Sequence, residues 1–298
     1  MKVLITGASS LPGFRTTLEA LKRGYEVVAL HYANPIPIEH ENLRKIRIDI
    51  TDLKALSGLV SSEKPDVLIH MAALGDVELC ERDKPLAWRV TVEPSIALAR
   101  LSYEHSIFPV YLSTDYVFDG KVGGYTEDGP PNPVNYYGFV KLVGEVAFKT
   151  LANHAIVRTS SIYGLGPGRI NFAKFLIEKL KRGESVKALV DQYTSPTQAR
   201  LLAEAVMEIV ERRLTGIFHV VGEKMSRYEF AVKVARTLGF DERLIERAEM
   251  KDMKWVARRP RDSSLNSEYT RRVLKTDFYS NAKAFSALKE EYVRGEWV

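Results

Sequence analysis

The chain has 298 residues, enough for one large α/β unit or two domains sharing a core. Hydrophobic residues make up 45% and charged residues 27%; there is no apolar run of about 18 residues, so a globular protein with no membrane span is expected. A net charge of +5 is mild, and the single cysteine, Cys80, excludes an intrachain disulfide framework and suits a reducing, cytoplasmic setting.

The N-terminus runs straight into residues 2–6, an apolar segment that reads as a buried parallel strand and lacks the layout of a signal peptide. A helix is expected over 13–23, a strand over 25–30 and another within 43–50. A helix over 54–62 and a strand over 66–71 follow, then a long helix over 86–105 and a strand over 108–112. A Gly- and Pro-rich loop over 119–135 leads to a helix over 136–151 and a strand over 154–158. This alternation predicts an α/β fold with a Rossmann-type doubly wound parallel sheet. After Gly164 the rhythm changes, with helices expected over 171–182, 199–213, 228–238 and 267–274 and strands over 186–190 and 216–221. Residues 1–165 are read as a dinucleotide-binding domain to which about 186–222 returns, and 166–298 as mainly a smaller C-terminal substrate-binding lobe.

The first turn, Thr6-Gly7-Ala8-Ser9-Ser10-Leu11-Pro12-Gly13, lies where a pyrophosphate meets backbone N–H groups and a helix N-terminus. Gly7, Ser10, Leu11 and Gly13 are therefore cofactor candidates, with a plain tight turn as the alternative. The second strand ends at His31 with no Asp or Glu to hold the ribose hydroxyls of NAD. That absence, with Arg15 and His31 nearby, favours NADPH, with NADH as the alternative. Asp49 is placed to accept from an adenine amine while Ile50 packs on the ring, and Thr51 or Asp52 is placed to cap the next helix. Ala72 and Ala73 let the backbone approach a dinucleotide closely; His70 before them reads as a packed, hydrogen-bonding side chain.

Tyr137 and Lys141 are four residues apart and so share a helix face. The ammonium is placed to lower the phenol's pKa and to grip a cofactor ribose. A free phenol titrates at about 10, and bringing it to about 7 takes roughly 4 kcal/mol of phenolate stabilisation. The spacing alone arises by chance in any Lys-rich helix; Thr114 upstream and the glycine turn give it weight. Arg258, Arg259, Arg261, Arg271 and Arg272 form a basic cluster whose usual meaning is a solvated face, with nucleic-acid binding as an alternative and an anionic substrate as the better functional reading.

In this order the motifs resemble the extended short-chain dehydrogenase/reductase superfamily. Four stretches are similar to its dTDP-4-dehydrorhamnose reductase branch: 113–120 (STDYVFDG), 135–145 (NYYGFVKLVGE), 191–197 (DQYTSPT) and 259–265 (RPRDSSL). The regulatory β-subunit of methionine adenosyltransferase is similar in the same places. The resemblance implies Thr114, Tyr137 and Lys141 as catalytic residues: Tyr137 as general acid, Lys141 on the nicotinamide ribose, and Thr114 on the substrate carbonyl. It implies substrate contacts at Thr114, Asp115, Tyr116, Asn171, Gln192 and Arg259, with Arg259 on a diphosphate. The segment 191–197 shapes the pocket or is a structural turn, with Thr197 capping the next helix. Three positions depart from the pattern: Ser10 replaces a glycine, Thr91 an asparagine, and Ser161 a tryptophan that would face the sugar.

The expected activity is reduction of a nucleotide-linked 4-keto sugar with NADPH, by a homodimer that binds no metal, nucleic acid or membrane. Another sugar-nucleotide reductase or epimerase, or a dinucleotide-binding regulatory subunit, are the alternatives.

Overall fold

The computed structural model describes residues 1–295. Strands β1 (Lys2–Thr6), β2 (Glu26–His31) and β3 (Leu43–Arg47) are linked by helices α1 (Leu11–Lys22) and, after β3, α2 (Leu53–Glu63). Strand β4 (Val67–His70) leads through α3 (Val77–Arg82), α4 (Lys84–Ala87) and α5 (Glu93–Glu104) to β5 (Phe108–Thr114). Helix α6 (Tyr136–Lys149) and β6 (Ala155–Thr159) follow. Then come α7 (Phe172–Lys181), β7 (Val186–Leu189), β8 (Tyr193–Thr194), α8 (Ala199–Glu211), β9 (Gly216–His219) and β10 (Met225–Ser226). The chain closes with α9 (Arg227–Leu238), β11 (Ile245–Ala248), α10 (Glu268–Val273) and α11 (Asn281–Val293).

Seven strands form one parallel sheet in the order β3-β2-β1-β4-β5-β6-β9. Its strands are apolar at successive positions because both faces are covered. Val3, Ile5, Val110 and Val157 face a core closed by α1, α7, α8 and α9; Leu4, Leu68, Tyr111 and Ile156 face α2, α5 and α6. The chain winds outward from β1 to β3, then restarts at β4 and winds the other way. The crevice this reversal opens beyond the carboxyl ends of β1 and β4 is where such sheets take ligands.

Within residues 186–222, β9 pairs with β6 at the edge of this sheet and α8 packs against α1. Strand β7 instead pairs with β11, and β8 with β10, in two small sheets.

The helix expected over 86–105 is broken. A π-helical turn, Trp88–Val92, separates α4 from α5, and the Glu93 N–H reaches back to the Trp88 carbonyl. Pro94 has no N–H to offer the Val90 carbonyl, so the α-helical ladder fails there and the wider turn relieves it. Helices α3 and α11 were not expected. The helix after 191–197 is capped by Gln198, whose side chain accepts from the Arg200 and Leu201 N–H groups, and not by Thr197. Asp52 caps α2. No helix among the described residues is long and apolar enough to cross a membrane.

Candidate active site

A cleft of about 650 Å³ lies over the crevice, lined by Gly7, Ser10, His31, Asp49, Ile50, Ala72 and Ala73 among others. Gly7 has φ +67°, and a Cβ there would stand 2.8 Å from the Ala72 nitrogen, so only glycine lets the two strand ends close on a ligand. Ser10 is tolerated because its backbone is extended (φ −79°). Its hydroxyl donates to the Gly7 carbonyl at 2.7 Å and accepts from the Gly13 N–H at 3.2 Å, which makes it the N-cap of α1. Leu11 is buried in the core, and Gly13 packs on the Gly7 carbonyl, so both shape the turn from behind.

Asp49 is held below the ordinary carboxylate range, first by the Thr51 N–H and then by the Thr51 hydroxyl. The His31 Nδ1 is buried without a hydrogen-bond partner, a polar group a ligand would satisfy. Arg15 does not reach this groove: it is buried against the Leu165 carbonyl at 2.7 Å and Glu291 at 3.1 Å. The cation that lines it is Arg89, from the π turn, which no sequence pattern singled out.

Beneath the groove, Thr6 Oγ1 accepts from the Met71 and Ala72 N–H groups at 3.1 and 3.2 Å. Its proton therefore goes to His70 Nδ1 at 2.7 Å, and His70 Nε2–H donates to Ser95. Burial first, then the Lys141 charge, lowers the His70 pKa to about 3. His70 is thus a neutral strut, as expected. Thr91 accepts from the Leu74 N–H at 3.1 Å, so it supports the loop after β4.

A second cleft of about 260 Å³ adjoins the first and shares Ser10, Met71 and Ala73 with it. Thr114, Tyr137, Lys141 and Ser161 line it. Helix α6 starts in place because Asn135 caps it, accepting from the Gly138 N–H at 2.9 Å, while its amide donates to the Arg258 carbonyl. Gly138 is needed there: a Cβ would meet the Tyr116 carbonyl at 2.0 Å.

Burial pushes the Tyr137 phenol up, and Thr114 opposes this. The expected lowering by Lys141 is not found. Lys141 Nζ donates to the Leu112 carbonyl at 2.7 Å and lies 4.2 Å from the Tyr111 ring. Burial lowers its own pKa to about 7, against the pull of Glu145. Ser161 adopts φ +43°, a strained value for a residue with a Cβ, on the wall of this cleft. The Thr159 hydroxyl nearby is buried without a partner.

Among the expected substrate contacts, Thr114 alone lines either cleft. Asp115 lies behind Thr114, bound to serine hydroxyls. Tyr116 stacks edge-on against Tyr137 at 5.9 Å, and burial raises its phenol against the opposing charges of Arg227 and Arg259. Asn171 caps α7 and ties it to the Gly164 carbonyl. Gln192 is buried and holds the Pro260 carbonyl at 3.3 Å. Arg259 is paired with Glu78 of α3 at 2.8 Å, with the ring of Trp255 at 5.6 Å. Glu78 is a residue the sequence could not single out, because its partner is 181 positions away.

A doubly wound sheet with a glycine turn at its switch point and a Thr/Tyr/Lys cleft beside it defines a Rossmann-type protein of the short-chain reductase kind. The chain belongs to the RmlD substrate binding domain family, whose model matches residues 1–292. It is 30% identical, over 89% of this chain and 90% of the relative, to a protein of Haloferax volcanii named a probable low-salt glycan biosynthesis reductase. It is 31% identical to methionine adenosyltransferase 2 subunit beta of Xenopus tropicalis, over 78% of this chain and 71% of that one. Among solved structures, dTDP-4-dehydrorhamnose reductase of Bacillus anthracis in complex with NADP matches at TM-score 0.86 and 27% identity, covering 97% of this chain and 99% of that one.

Proposed function

We propose that this protein is an NADPH-preferring reductase of a nucleotide-linked 4-keto sugar, with dTDP-4-dehydro-β-L-rhamnose the first candidate. The observation that carries the reading is the convergence of Thr114, Tyr137 and Lys141 on a cleft continuous with the groove at the sheet's switch point. The groove suits a dinucleotide: the glycine cradle is open to a backbone approach, Ile48 and Ile50 offer an apolar wall, and His31 holds an unmet polar atom. When bound, the reduced nicotinamide supplies the hydride. Tyr137 keeps its proton until the substrate oxygen takes it. Lys141, with two ammonium protons beyond its bond to Leu112, holds the ribose. Arg259, set by Glu78, meets the diphosphate. A homodimer in the cytoplasm completes this reading.

Two expectations follow from the charges. Arg89 and His31 line a groove whose second strand ends without a carboxylate, so NADPH binds more tightly than NADH. A charge-assisted contact to the extra phosphate makes the difference about ten- to hundred-fold. Fluorescence titration of both cofactors at equal ionic strength measures it, and a preference for NADH refutes the assignment. For Arg259→Ala, the Michaelis constant for the sugar nucleotide rises by about the same factor, and that for NADPH does not. Equal losses with both would place Arg259 in folding or cofactor binding.

The similarity to a methionine adenosyltransferase subunit supports a second reading, a dinucleotide-binding regulatory subunit. NADPH oxidation with a panel of nucleotide-linked 4-keto sugars separates the two: a reductase turns over at least one member, a regulatory subunit none.

A further inference from the structure

The segment from Leu165 to Asn171 has two fixed ends. The Leu165 N–H donates to Glu291 at 2.8 Å, and its carbonyl accepts from Arg15 at 2.7 Å. Asn171 caps α7 and donates to the Gly164 carbonyl at 2.8 Å. Between these ends the chain lies on the first turn. Gly168 has φ +97°, and a Cβ there would stand 3.0 Å from the Leu11 nitrogen and 3.1 Å from Ser10 Cα, so glycine alone fits so close to the start of α1. From this contact Arg169 reaches away. Its Nη1 donates to the Gly75 carbonyl at 3.0 Å, and its Nη2 pairs with Asp76 at 2.9 Å.

The two anchors stand on opposite walls of the crevice. Helix α1 packs on one face of the sheet and α6 on the other. Helix α3, which Asp76 caps, packs against α6 through Cys80 and Val140. Ser10 lines both clefts, and Gly75 lines the second. Arg169 therefore spans the neck where the groove opens into the cleft of Thr114, Tyr137 and Lys141. A dinucleotide with its adenosine in the groove and its nicotinamide in the cleft has its diphosphate at that neck.

We propose that residues 166–169 are a gate on dinucleotide exchange, with the Arg169–Asp76 pair as its latch. This rests on the dinucleotide reading of the groove. The dinucleotide enters and leaves while the latch is broken, and the strap closes over it afterwards. The Arg169 and Asp76 side chains are 64% and 36% exposed, so water competes for the pair and it breaks readily. Asp76 is held below the ordinary carboxylate range, first by the Leu79 N–H and then, against burial, by the Arg169 charge, so the latch is charged at neutral pH. The same pair closes the gate before and after binding. Weakening it raises the open fraction in both states, and the rates of entry and exit scale with that fraction. The affinity, which is their ratio, stays where it was.

The experiment is stopped-flow fluorescence of NADPH association and dissociation, for the wild type, Arg169→Ala and Asp76→Asn. Asn caps a helix as well as Asp does, so the second variant loses the charge and keeps the start of α3. Both variants are expected to speed association and dissociation together, by about two- to ten-fold, with the dissociation constant and the thermal midpoint close to the wild type. A guanidinium that grips the diphosphate itself gives a different pattern. Arg169→Ala would then slow association and weaken binding, while Asp76→Asn, by releasing Arg169, would tighten it. That pattern overturns the gate, and so do rates that match the wild type in either variant; both leave the groove as a dinucleotide site. A wild type that binds no NADPH overturns the dinucleotide reading and the gate with it.

Discussion

Tyr137→Phe is expected to lower turnover by on the order of 10²–10⁴-fold. The ring stays where it is, packed with Cys80, Ala87, Val92 and Val140 and edge-on to Tyr116, so the cofactor groove keeps its shape. What disappears is the phenol proton, which burial holds on its oxygen at neutral pH. The loss therefore falls on turnover, with the NADPH dissociation constant and the thermal midpoint close to the wild type. Steady-state kinetics with a cofactor titration on the same preparation checks this. Near-normal turnover in the variant would remove Tyr137 from the chemistry and leave the cleft without its acid.

The second large effect is on stability. Glu145 of α6 and Arg158 of β6 form an ion pair with side chains 0% and 1% exposed. The guanidinium donates twice, at 2.8 Å each, and Ser113 adds a bond at 2.6 Å. Burial works against the Glu145 charge, but the Arg158 hydrogen bonds and charge outweigh it and hold the carboxyl below its ordinary range. Glu145→Gln strands a buried guanidinium, which typically costs about 3–5 kcal/mol. For a chain of this size that lowers the thermal midpoint by on the order of 10 °C. Because the folded pKa is depressed, the wild type keeps this contribution above the unfolded carboxylate value and loses it as pH falls through the folded one. The variant should lose that part of its acid sensitivity. A midpoint unchanged at neutral pH would mean that the pair contributes little. Glu145 also lies one helical turn beyond Lys141 and raises its pKa, so the variant's Lys141 should be deprotonated more readily.

The sheet was legible in the sequence because both of its faces are covered. Runs such as 3–5 and 108–112 are apolar at successive positions, and their alternation with helices points to a parallel sheet covered by helices. Local chemistry was legible too: Gly7 is required by its φ, and Tyr137 and Lys141 share one helical face. What was hidden depends on partners distant in sequence. Arg15 reads as a free cation beside the glycine turn, yet Glu291 on a helix at the far end of the chain claims it. Asp115 reads as a substrate contact from its motif, but Ser160 and Ser263 turn it inward. The break at 88–92 had its signal in Pro94, although the apolar spacing around it suggested an unbroken helix. Arg89 became visible only when that turn placed it over the groove.

As proposed, this chain moves a hydride from a nicotinamide to a sugar carbonyl carbon. The direct measurement uses NADPH carrying deuterium at the nicotinamide C4 position, one face at a time, with dTDP-4-dehydro-β-L-rhamnose and the other nucleotide-linked 4-keto sugars. For one face, deuterium is expected at the sugar C4 in step with NADPH consumed, and Tyr137→Phe is expected to slow its appearance. NADPH that binds but is never oxidised, with no deuterium in any sugar, would contradict a reductase and leave a regulatory subunit in its place.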